Sequence, residues 1–313
     1  MGMTHTRRMA ALAPLVAISL GCRAQPPATA AAADEAATRA GYEAWRAGRL
    51  EELRKDDGWL ALAGLHWLDQ GEARIGSSAD SAIVLPASAP PFLGVIRVDG
   101  KAVTLTMATG VAASLGGAPF SAGALRSDED PQAPQDRVRV GDVTLSIIDR
   151  GGKLALRVHD ARAQTRTGFA GIETFPWDPR WIVRGRLERF DAPRKVAVPT
   201  AIGIDDEATV PGAIAFEIDG VALQLEPYVE EGDDEMFIVF ADATNGKETY
   251  GGGRFLTAKL PPAGSDAVIL DFNRAFSPPC SFTPYATCPV PRPENRLPIA
   301  VTAGERSKAH HQP

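Results

Sequence analysis

Between about residue 60 and residue 260 the apolar residues of this chain come in short runs that alternate with polar ones and break at turn residues. Period-two alternation sends successive side chains to opposite faces of a strand. The pattern is plain in "GVIRVDGKAVTLTM" (Gly94–Met107), a hairpin on Asp99-Gly100-Lys101, and in "VRVGDVTLSIIDRGGKLALRVHD" (Val138–Asp160), with turns at Gly141-Asp142 and Gly151-Gly152. It returns in "GAIAFEIDGVALQLEPYV" (Gly212–Val229), which turns on Asp219-Gly220. In "EMFIVFADATNGKETYGGGRFLTAKL" (Glu235–Leu260), Asn245-Gly246 is the strongest short-range hairpin signal of the chain. Strand-turn-strand at about ten-residue spacing predicts an all-β protein of sandwich or barrel type. One stretch has the other period. "GYEAWRAGRLEELRKD" places Tyr42, Trp45, Leu50 and Leu53 near one face and predicts an N-terminal helix over residues 41–56.

The first 40 residues lack a strand pattern. Arg7 and Arg8 precede the apolar run Met9–Gly21, which is too short to span a bilayer, so residues 1–21 read as a signal peptide. Cys22 follows at once in "SLGC", and the leader resembles that of a bacterial lipoprotein, with Cys22 as the lipidated residue. An ordinary secretory signal cleaved near Ala24 is the alternative. Residues 22–40, rich in Pro and Ala, read as a disordered tether. The expected location is the periplasmic face of the envelope, lipid-anchored or else soluble, with membrane contact only through the anchor. Loss of the leader removes Arg7 and Arg8 and no acid, which takes the formal charge from −6 to −8. An acidic chain without a basic cluster points away from nucleic acid. With Cys22 lipidated, Cys280 and Cys288 are left as an even pair, which an oxidising compartment is expected to join as a disulfide. No metal-ligand set and no cofactor motif is present.

Residues 57–163 carry "RIGSS", then "AIVLP", then a "G-x-I-x-V-x-G-x-x-V-x-L" pair and "G-D-V-T-L". This order resembles a forkhead-associated-like β-sandwich. Phosphopeptide-binding members carry a Ser-Arg-x-His-type loop. The matching segment here, Ala87–Gly94, has neither Arg nor His, so the resemblance does not bring phosphothreonine binding with it. Residues 164–313 read as a second, barrel-like β domain. There "TNGKETYGGGRFL" and "LDFNRAFSPPCSFTPYATCPVPRPENRLPIAVTAGE", with the upstream "DDGWLALAGLHWLDQGEARIGS", resemble the bacterial domain of unknown function 1684 family. Phe276-Ser277 stands where a Tyr-Asn pair is expected. That resemblance implies fold and extent, and transfers no catalytic residue.

Candidate chemistry concentrates in Asp271–Pro298. A strand delivers Asp271, Asn273 and Arg274 at its end, and prolines stiffen the return to Glu294, Asn295 and Arg296. If the return meets the strand end, Asp271, Arg274, Glu294 and Arg296 form an acid–base set beside a small polar or anionic ligand, with Asn273, Asn295, Tyr250 and Arg254 as binding residues. The competing reading is structural. Proline-rich corners leave backbone groups without ladder partners, and Asp, Asn and Arg satisfy them. The Gly251–Gly253 triplet fits either a ligand or a close neighbouring strand. His66, between apolar residues, reads as a satisfied buried group. His159 alternates with Arg157, which predicts an exposed strand face. Two functions follow: an envelope module binding a small molecule or a protein, or a small-molecule acid/base hydrolase with its site at the 271–296 loop.

Overall fold

The alanine-rich segment expected to be a tether is already helical in the computed structural model, which describes residues 28–129 and 133–307. Helix α1 runs from Ala28 to Arg54, so it starts well before Gly41. Alanine has the highest helix propensity, and the helix extends through it without needing an apolar face. The leader, Cys22 and the first residues of the expected tether lie outside the described residues. The chain divides into two units, Met1–Thr38 and Arg39–Pro313. Of the first, the structure describes the start of α1; both β regions lie in the second.

Eleven strands make the first β region: β1 (Leu62–Trp67), β2 (Gly71–Gly76), β3 (Ile83–Val84), β4 (Gly94–Asp99), β5 (Ala102–Met107), β6 (Ala113–Leu115), β7 (Ala118–Phe120), β8 (Ala122–Leu125), β9 (Arg137–Val140), β10 (Val143–Arg150) and β11 (Lys153–Asp160). They form a six-stranded sheet, β1-β11-β10-β9-β6-β7, and a five-stranded sheet, β3-β2-β4-β5-β8. Ile75, Ile96 and Leu105 of one sheet and Val138, Leu145, Ile147, Leu156 and Val158 of the other fill a single core. This is the predicted two-sheet β-sandwich, each sheet burying the face its alternation marked as apolar.

After a one-turn helix α2 (Gln164–Thr167) come β12 (Ile182–Val198), β13 (Asp206–Ile218), β14 (Val221–Leu225), β15 (Glu235–Phe240), β16 (Arg254–Lys259) and β17 (Ala267–Asp271). A four-stranded sheet, β14-β13-β12-β17, faces the β15-β16 hairpin. Single bridges at Thr209–Val229, Tyr228–Phe237 and Phe255–Phe276 connect the two pieces around one core. Phe272 sits at its centre, with ring centroids 5.7 Å from Phe240, 5.9 Å from Phe216 and 6.3 Å from Trp181. The hairpin forms as predicted, but its strands stop at the Phe240–Arg254 pair, and residues 241–253 make a long folded loop around Asn245-Gly246.

Candidate functional site

The polar residues of the C-terminal region are brought into four clusters, each occupied with holding the chain. Asn273 accepts from the backbone N–H of Asp178 and donates to its carbonyl, both at 3.0 Å. Asn295 does the same to Glu226, at 2.7 and 2.9 Å, and also donates to the Val239 carbonyl at 2.9 Å. Each amide acts as a one-residue strand partner where no strand is available. Arg254, with no exposed surface, pairs with Asp242 at 2.7 Å and donates to the carbonyls of Val301 and Ala303. Glu305 accepts from the Ser277 N–H at 2.7 Å and from Arg49 of α1 at 3.1 Å. These contacts fix the last segment of the chain, and Arg254, Asn273 and Asn295 are structural rather than ligand-binding residues.

The four expected acid–base residues do not converge. Asp271 pairs with Arg274 at 3.1 Å. Glu294, 41% exposed, pairs with Arg292, and Arg296 donates to the Pro291 carbonyl at 3.2 Å. Among the described residues no hydrogen bond or ion pair links the two sets. The cause is the path of the return. Cys288 and Val290 are hydrogen-bonded to Ala201 and Pro199 beyond the end of β12, and Arg296 bridges to Ala241, so the prolines lead the chain along those partners. Gly253, at φ +96°, answers the question raised by the glycine triplet: a Cβ there would lie 2.5 Å from Pro291. Its close neighbour is that proline.

Tyr250 is buried against Cys280 and Cys288, and burial first, then the two thiols, push its hydroxyl up to about 12. Both cysteines are free thiols side by side, with the Cys280 N–H donating to Cys288 Sγ at 3.2 Å. Burial pushes Cys288 up, while the hydrogen bond with Cys288 draws Cys280 down.

Two neighbouring side chains with unpartnered buried nitrogens, Arg157 and His159, lie on the outer face of β11. Leu154, Leu156 and Val158 enter the sandwich core, so Ala155, Arg157 and His159 face the other way. That face is not exposed. Arg157 is 8% and His159 5% accessible, because the end of α1 and the turn after it lie over the sheet. The turn doubles back tightly at Gly58, where a Cβ would lie 2.6 Å from the Glu52 carbonyl oxygen. Asp56 and Asp57 pin it down, through Arg139 and Arg166 and through Arg137 respectively. The doubled chain sets Trp59 under Arg157, with the guanidinium carbon 5.4 Å from the indole centre.

Between these parts lies a cavity of about 380 Å³. Its walls carry four cations, Arg49, Lys55, Arg137 and Arg157, against two acids, Glu52 and Asp57. Three of the cations are engaged: Lys55 with Glu52 at 2.6 Å, Arg137 with Asp57 at 2.6 Å, and Arg49 with Glu305. Arg157 has no ion pair among the described residues, and its Nε has no hydrogen-bond partner. Asp128 acts on it favourably from a distance, but both Asp128 oxygens are taken by Arg150, at 2.8 and 3.0 Å. Burial, then the like charge of Arg150, lowers Arg157 to about 10, so it stays charged at neutral pH. Burial and Arg157 lower His159 to about 4, which keeps it neutral, and its Nδ1 also lacks a partner. A buried, charged, unpaired guanidinium beside a neutral imidazole has the chemistry to receive an anion.

A second, more open concavity of about 530 Å³ runs beside β1 and includes His66, Val84, Pro86 and Tyr285. His66 is half-buried there, with its imidazole lowered by burial, so it is not the enclosed polar group that its neighbours in sequence predict.

A family model described as protein of unknown function (DUF1684) matches residues 167–306. Arg157 and His159 precede the matched segment. A search of curated proteins finds no match. Among solved structures, an uncharacterized protein from gene locus rrnAC0354 of Haloarcula marismortui is 31% identical, with 47% of this chain and 81% of that one covered and a TM-score of 0.40. The FhaA FHA domain, solved with the intracellular domain of Rv3910, is 20% identical, with 30% of this chain and 97% of that one covered and a TM-score of 0.21. The FHA-2 domain of the Mycobacterium tuberculosis ABC transporter Rv1747 is 23% identical, with 29% and 77% covered and a TM-score of 0.21.

Proposed function

Residues 167–306 match the DUF1684 family of proteins of unknown function, and since that family hands down no activity, we propose from the cavity itself that the chain is a binding module for a small anionic ligand. One observation carries the reading: a nine-tenths buried Arg157 with no carboxylate of its own. Leaving a buried cation uncompensated costs several kcal/mol, and a ligand carboxylate or phosphate removes that cost on binding. The guanidinium is already desolvated and held by Trp59, so little ordering is left for binding to do. The hydrolase reading has no comparable support, because its acid and base sets stand apart.

Calorimetric titration of the full chain with inorganic phosphate, sulfate and acetate tests the proposal. At least one anion is expected to bind, and Arg157→Met is expected to weaken it by about tenfold or more, the worth of one charge-assisted hydrogen bond. Unchanged affinity in that variant overturns the assignment. The leader supports placing this module at the periplasmic face of the envelope, anchored through Cys22. Palmitate labelling that survives Cys22→Ser argues against the anchor. In that compartment Cys280 and Cys288 are expected as a disulfide. Alkylation of both in unreduced protein from the envelope argues against the bond.

A further inference from the structure

The cavity is larger than a bare anion needs, and its remaining walls have a chemistry of their own. Trp59 is 36% exposed, so part of the indole stays open beyond the area that Arg157 covers. Apart from the cations Arg49, Lys55 and Arg137, which are already paired, the other polar walls are hydrogen-bond acceptors. Glu52 and Asp57 each use one carboxylate oxygen on a cation and keep the second. Gln135 donates its amide to the Ile147 carbonyl at 2.6 Å, which leaves its side-chain oxygen to accept. Arg157 and His159 supply the anion end, two residues apart on one face of β11.

Resting on the anion site described above, we propose that the ligand is an anionic carbohydrate: a polyhydroxylated ring with one carboxylate or phosphate group. The head group meets Arg157 and His159. The ring's hydroxyls donate to Glu52, Asp57 and Gln135, and its C–H face lies on the electron-rich face of Trp59. An aromatic anion answers the indole but has no hydroxyls to donate, so it brings its negative charge to two carboxylates without compensation. A neutral sugar leaves Arg157 unpaired. Sugar phosphates and sugar acids share the required chemistry, and the head group separates them experimentally.

The test uses the full chain and isothermal titration with glucose 6-phosphate, glucuronate, glucose, phenyl phosphate, inorganic phosphate and acetate. Glucose 6-phosphate is expected to bind at least about tenfold more tightly than phosphate, or glucuronate by the same margin over acetate, the worth of one to two net hydrogen bonds. Trp59→Ala is expected to cancel that margin, and to weaken the bare head group by a smaller factor because the indole also holds Arg157. Should Trp59→Ala fail to fold, Glu52→Ala, at an exposed position, is expected to reduce the margin several-fold in the same way. Equal affinity for sugar and bare head group, or tighter binding of phenyl phosphate, overturns the carbohydrate assignment, while Arg157-dependent phosphate binding still stands. If none of the anions binds, both assignments fall.

Discussion

Two buried arginines set the terms of this molecule. Arg254, in the second β region, is wholly enclosed, paired with Asp242 and hydrogen-bonded to two carbonyls of the closing segment. Arg157, in the sandwich, is almost as enclosed, yet its natural partner Asp128 is held by Arg150 and a cavity opens beside it. Burial alone therefore says little about role. What separates a structural cation from a binding one is whether the protein supplies the counter-charge. The C-terminal block, densest in polar residues, spends them on its own backbone, while the plainer sandwich keeps one charge unspent.

The contrast predicts opposite outcomes for the same substitution. Arg254→Met strands the fully buried Asp242, and also frees the carbonyls of Val301 and Ala303. Breaking one side of such a pair costs about 3–5 kcal/mol. Urea unfolding is expected to show a loss of that size, or the variant is expected not to accumulate as folded protein. A loss below about 1 kcal/mol makes the pair dispensable and dissolves the contrast.

His159 gives the next largest effect. Its folded value of about 4 lies below the ordinary 6.5, because burial and then Arg157 and Arg137 oppose the charge and Asp57 only partly offsets them. The unfolded chain then binds more protons between these values, so stability is complete above pH 6.5 and falls as pH drops toward 4. The full difference is worth roughly 3 kcal/mol. Urea midpoints measured from pH 7 to pH 4.5 are expected to fall, and His159→Gln is expected to flatten part of that fall. Parallel curves for the two proteins mean that His159 is not held neutral by its surroundings.

Much of this organisation is legible along the chain. Alternation located both β regions, and the turn signals placed hairpins at Asp99-Gly100 and Asn245-Gly246, because local backbone preference and apolar patterning agree there. The competing structural reading of the Asp271–Pro298 block is the one the structure supports for Asn273 and Asn295. The path of the proline return was hidden, since it depends on partners at Pro199–Ala201 and Ala241, far away in sequence. The Arg157–His159 face reads as exposed from alternation but is covered in the structure. Its neighbours on the outer face are Thr144, Ser146, Ile148 and Ala155 but also Arg137, Arg139 and Arg150, and so many cations read as a solvated face. What covers it comes from α1 and the turn at Gly58, and nothing in strand periodicity reports such a contact.

The smallest expected effect sharpens the comparison most. Arg157→Met removes a desolvated charge that the protein leaves uncompensated, and it keeps the unbranched stem that packs by Trp59. The variant gives up no ion pair. It relieves the desolvation penalty and the repulsion from Arg150. Its stability in the absence of ligand is therefore expected to change by less than about 1 kcal/mol, or to rise, by urea unfolding in a buffer free of phosphate and sulfate. Anion added at a fixed concentration above its Kd is expected to raise the midpoint of the wild type by more than that of the variant, because a ligand stabilises the folded form in proportion to how tightly it binds. A variant that unfolds as readily as Arg254→Met means that Arg157 is a structural cation after all, and the two arginines then differ in surroundings without differing in role.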